Sequence, residues 1–64
     1  MRALLEILED ERSIVRDIRR LVKSAEFVSD QAYVNMLHGK KIDLEVKLEE
    51  VRDEILEYFE ELNK

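Results

Sequence analysis

The feature that most limits what this chain can become is the spacing of its apolar residues, which return at helical intervals along nearly its whole length and are interrupted once. In the N-terminal half they fall at Leu4, Ile7, Leu8, Ile14, Val15, Ile18, Leu21, Val22 and Ala25. That pattern brings side chains back to one face of an α-helix. Written as a heptad, Leu8, Val15 and Val22 take position a; Leu4, Glu11, Ile18 and Ala25 take d; Ile7, Ile14 and Leu21 take g. Three apolar positions in seven make a stripe wider than a coiled-coil seam and suited to a helix inside a bundle.

The C-terminal half keeps a register as regular, with Val34, Lys41, Leu48, Ile55 and Leu62 at a and Leu37, Leu44, Val51 and Tyr58 at d. The register runs through Gly39 without a change of phase. It predicts one continuous helix, although an interior glycine costs about 1 kcal/mol relative to alanine. The alternative ends a helix at His38 with Gly39 as a left-handed cap. A second helix would then need its own start, and Asp43 is followed by no capping-box residue. Continuity is favoured.

The interruption is Phe27-Val28-Ser29-Asp30. Ser29 is the expected N-cap, its hydroxyl accepting from a free amide of the next turn. Asp30 would then sit where the positive helix end favours an anion. Val28 and Tyr33 flank that cap at the spacing of a hydrophobic staple. So short a link makes antiparallel neighbours. The expected architecture is all-α, one domain over residues 1–64, with helices over about 2–26 and 30–62 folded into a hairpin.

Two helices of these lengths do not match. At 1.5 Å per residue the first is about 35 Å long and the second about 50 Å. The longer one must overhang, and its overhang carries Ile55, Leu56, Tyr58, Phe59 and Leu62, too much apolar surface to leave in water. A 64-residue chain also has a thin core, and domains of this size rely on a disulfide, a metal or another subunit. There is no cysteine and a single histidine. Self-association remains, and two hairpins are expected to dimerise into a four-helix bundle through Leu48, Val51, Ile55, Tyr58, Phe59 and Leu62.

Charge suggests how. Helix one begins acidic (Glu6, Glu9, Asp10, Glu11) and ends basic (Arg12, Arg16, Arg19, Arg20, Lys23), whereas residues 43–61 hold nine acids against Lys47 and Arg52. In a hairpin the basic stretch and Lys40 and Lys41 lie toward the turn and the acids toward the chain ends. An antiparallel dimer sets basic ends beside acidic ones; a parallel dimer stacks like on like.

Composition closes off other classes. Charged residues are 42% and hydrophobic ones 45% of the chain, with no proline and one glycine. Disordered acidic chains lack the apolar half of that balance, and a β protein needs turn residues that are absent. No apolar run reaches the roughly 18–20 residues of a membrane span. Charges among the first ten residues speak against a signal peptide, so a cytoplasmic location is the default expectation.

Several constellations could carry chemistry, and each has a plainer reading. Lys41 and Glu11 interrupt the core stripes and could form a buried acid–base pair; more simply, Lys41 extends its ammonium outward and Glu11 sits at an edge. His38 lacks the Glu-x-x-His spacing of carboxylate-bridged metal bundles, since position 35 is asparagine; no metal or cofactor is expected. Arg12, Arg16, Arg19 and Lys23 form a basic stripe able to follow phosphates. The net charge of −5 opposes nucleic acid, and ion pairing between subunits explains the stripe without a ligand. Glu45, Glu49, Asp53, Glu57 and Glu61 recur every four residues, as a solvated face or a docking face for a basic protein. Met36, Gly39, Ile42 and Val46 point away from the seam of helix two and make an outward strip, either a second contact surface for a partner or scattered exposed side chains.

No phosphate loop, nucleophile elbow or Cys/His cluster is present, and no enzymatic activity is expected. In length and hairpin plan the chain resembles the small plasmid copy-control bundle proteins, in architecture only; architecture conveys no function. The expected role is a structural or protein-interaction module: a homodimer, or a tetramer if the outer strip also self-associates, that can engage another protein. A small regulator of nucleic acid is the alternative.

Overall fold

In the computed structural model, which describes residues 2–64, the chain is a hairpin of two helices. The first, α1, spans Leu4–Glu26, and the second, α2, spans Gln31–Leu62. They lie antiparallel and form a rod of 52 × 15 × 13 Å. No strand occurs among the described residues.

Helix α2 passes through Gly39 without interruption, and Gly39 has no positive φ. The unbroken apolar register on both sides of the glycine outweighs its local cost. A Cβ placed at Gly39 would meet nothing within 4 Å, so no close approach within the hairpin requires a glycine there.

The start of α2 corrects the sequence-based expectation. The cap is Asp30, not Ser29: its Oδ1 accepts from the Ala32 backbone N–H at 3.0 Å. A carboxylate makes the stronger, charge-assisted bond and adds its charge to the positive helix end. The staple positions then fall on Ser29 and Val34, so Val28 and Tyr33 do not form one. At the end of α1, the amides of Phe27 and Val28 donate to the carbonyls of Ser24 and Ala25 at 3.3 and 3.4 Å. These three-residue bonds tighten the last turn and occupy carbonyls the helix leaves free.

The core is thin. Among the described residues Ile7, Leu37 and Val51 are the buried side chains, Ile7 completely. Around them Leu4, Ile14, Ile18, Leu21 and Ala25 of α1, and Val34, Leu44, Leu48, Ile55 and Tyr58 of α2, are half-buried. Helix α1 therefore meets α2 mainly through its g and d positions. Its a row stays partly outside: Leu8 is 40% and Val22 41% exposed. One helical neighbour cannot cover a stripe three positions wide.

Helix α2 has 32 residues to the 23 of α1, and its end projects. Leu56, Phe59 and Leu62 are exposed there, while the rings of Tyr58 and Phe59 meet edge to face with centroids 6.1 Å apart.

Candidate functional site

The two sides of the hairpin differ, and the difference follows from helix geometry. At about 100° per residue, Leu8, Val15 and Val22 lie roughly 60–100° round α1 from the Ile7 line in one direction, and Asp10, Asp17 and Ser24 lie as far round in the other. On the first side, Leu8, Val15, Arg12, Arg16 and Arg19 line a shallow groove with Arg52 of α2. Nearer the turn the same side has an apolar groove of about 320 Å³ between Leu21, Val22 and Ala25 of α1 and Val34 and Leu37 of α2, with His38 and Lys41 at its rim. On the opposite side Asp17, Arg20, Ser24, Lys40, Asp43 and Lys47 surround a groove that also has Leu21 and Leu44 in its lining. Along α1, then, one side bears a row of aliphatic side chains and the other a row of polar ones.

Four of the charges that enter the first side are paired within the chain. Arg52 Nε donates to Glu11 Oε2 at 3.2 Å, and Lys41 Nζ lies 3.4 Å from Glu45 Oε1, one turn along α2. Lys41 and Glu11 thus belong to two separate ion pairs, not to one acid–base pair. Both are half-buried, which lets their stems cover apolar surface while their heads stay near water.

At the open end Arg2 ties the start of the chain to both helices. Its Nε and Nη2 donate to Glu54 Oε2 at 3.1 and 2.8 Å, and its Nη1 donates to Asp10. The hydrogen bond to Asp10, then that to Glu54, holds the guanidinium above its ordinary range. Apolar periodicity gives no hint of this clamp; only the surplus of acid at the same end does.

The basic stripe is a true stripe: Arg12, Arg16, Arg19 and Lys23 fall within a band of roughly 60° on α1, and all are exposed. Among the described residues none of the four makes an ion pair. Lys23 lies beyond the groove that the three arginines share. The acidic row behaves differently. A step of four residues advances by about 40° beyond a full turn, so Glu45, Glu49, Asp53, Glu57 and Glu61 wind around α2, all of them exposed. Glu61 is paired with Lys64 at 3.0 Å.

In the outward strip, Met36, Ile42 and Val46 are each about half exposed, and Gly39 is exposed. Ile42 and Val46 share a shallow groove with Leu48 and Arg52; Met36 lies outside it. Among the residues expected to self-associate, Val51 is buried inside the hairpin, Leu48, Ile55 and Tyr58 are half-buried, and Phe59 and Leu62 are open to solvent.

Among the described residues no group of three or more His, Asp or Glu side chains could hold a metal ion, and no helix is long and apolar enough to cross a membrane. No protein-family model matches the chain, and none of the curated proteins or solved structures compared with it is similar to it.

Proposed function

We propose that this chain is a non-enzymatic structural or protein-interaction module that works as a homo-oligomeric helical bundle with an acidic surface. The observation that carries the reading is the apolar surface the hairpin leaves uncovered: Leu8 and Val22 on α1, and Leu56, Phe59 and Leu62 on the projecting end of α2. A rod two helices thick, with three buried side chains among the described residues, gains most by covering that surface with more helix, and two hairpins make a four-helix bundle. The wound acidic row of α2 and the Ile42–Val46 groove then remain on the outside for another protein. Ile42→Asp tests that last element. It is expected to leave helix content and assembly mass unchanged and to abolish capture of a partner by the immobilised chain. Loss of the assembly instead would place Ile42 in the self-association core.

A second reading has its own support in the three arginines, Arg12, Arg16 and Arg19, that line one groove without carboxylate partners among the described residues. Such a groove can follow a phosphate backbone. Binding of this kind weakens steeply with salt, so duplex or single-stranded nucleic acid titrated at low and moderate ionic strength decides it. No binding at low salt ends the reading.

A further inference from the structure

We infer that the side of the hairpin bearing Leu8, Val15 and Val22 is the docking surface for a second copy of this chain, laid antiparallel with Val15 on the two-fold axis. The inference rests on the self-association proposed above and adds which side is used, in which direction and in which register.

Three observations select the side and the occupant. The first is the contrast along α1: Leu8, Val15 and Val22 on one side, and Asp10, Asp17 and Ser24 in the matching places on the other. A partner on the second side would cover Asp10, Asp17 and Ser24 of α1; a partner on the first covers Leu8, Val15 and Val22. Of the charges on this side, Glu11 is paired with Arg52 and Lys41 with Glu45, so covering them leaves neither pair with a lone charge; Arg12, Arg16 and Arg19, which have no ion-pair partner among the described residues, lie farther round α1, at the edge of this side.

The second is area. A side of 52 × 15 Å has a footprint of roughly 780 Å², close to the roughly 800 Å² per partner of a standard specific interface. A second hairpin matches this long, narrow surface over its whole length. A globular partner would leave its ends wet.

The third is charge. The turn end carries Arg16, Arg19, Arg20, Lys23, Lys40 and Lys41, and the open end carries most of the acids. A two-fold axis across the helices sets each turn end beside the partner's open end, and it lays α1 against the partner's α1. Leu8, Val15 and Val22 are spaced by seven, so an axis through Val15 puts Leu8 opposite the partner's Val22. The same axis brings Arg19 toward the partner's Glu11. Glu11 gives Oε2 to Arg52 and has its other oxygen available to accept from that arginine.

The chain has no cysteine, so single cysteines report the arrangement directly. Under mild oxidation Val15→Cys is expected to form a covalent dimer. It should form on the order of a hundredfold faster than Asp17→Cys on the other side, because docking holds the thiols at millimolar effective concentration while the chains are at about ten micromolar. Leu8→Cys and Val22→Cys are expected to link poorly alone and readily when the two chains are mixed. Leu8 and Val22 are 40% and 41% exposed in the single hairpin, so these two changes leave its core intact. They carry the test alone if Val15→Cys loses its helical signal. An assembly that sediments as a dimer but shows no mixed Leu8–Val22 link, or that links best through Asp17→Cys, overturns the side or the direction. A monomer at every concentration overturns the self-association itself.

Discussion

Ile7 has no exposed surface and lies near the open end, close to Arg2 and to Glu54 and Glu57 of α2. Truncation of a buried aliphatic side chain removes transfer energy and leaves a cavity, together about 2–5 kcal/mol. Ile7→Ala is therefore expected to lower the thermal midpoint by well over 10 °C, or to abolish the cooperative transition, when ellipticity is followed. A midpoint within a few degrees of the parent would mean that Ile7 is not central to the core. The caps offer a finer comparison. Asp30→Ala should cost about 1 kcal/mol and Ser29→Ala less than about half of that, because the structure gives the capping bond to Asp30; equal losses would contradict the assignment. The sequence made this error natural, since both residue types cap well and stand side by side. The choice depends on the chain's entry angle into α2, which composition does not encode.

At the scale of elements, both helices and the link between them were legible from the apolar period, and their ends fall within two residues of expectation. The period was also right about Gly39, where α2 continues. Gly39→Ala is expected to raise stability by up to about 1 kcal/mol, the intrinsic helix preference, because the new methyl meets no neighbour in the hairpin. A loss of stability would mean that another chain approaches the helix backbone there. The division of labour along α1 was not legible. A three-position stripe does not say which two positions face the intramolecular neighbour. The structure gives g and d to α2 and leaves much of a free, since the short link fixes how α1 is rotated against α2. The acidic row on α2 was similarly ambiguous. Spacing of four looks like a face on paper, but it drifts far enough to wind around the helix.

For the whole molecule, opposite charge at the two ends becomes a prediction about salt. In the antiparallel dimer, basic turn ends meet acidic open ends across exposed surface, and such attraction is screened beyond about 10 Å at 0.1 M salt. Raising salt from low to molar concentration is expected to weaken the dimer severalfold by dilution measurements. Strengthening with salt would point to like charges stacked together, as in a parallel dimer. In the proposed assembly the uncovered apolar side of one hairpin is closed by a second. Sedimentation equilibrium across a wide concentration range tests it most directly. A species of twice the chain mass is expected to persist to low micromolar concentration, with helicity falling only where the dimer dissociates. A fully helical monomer at high micromolar concentration would contradict it.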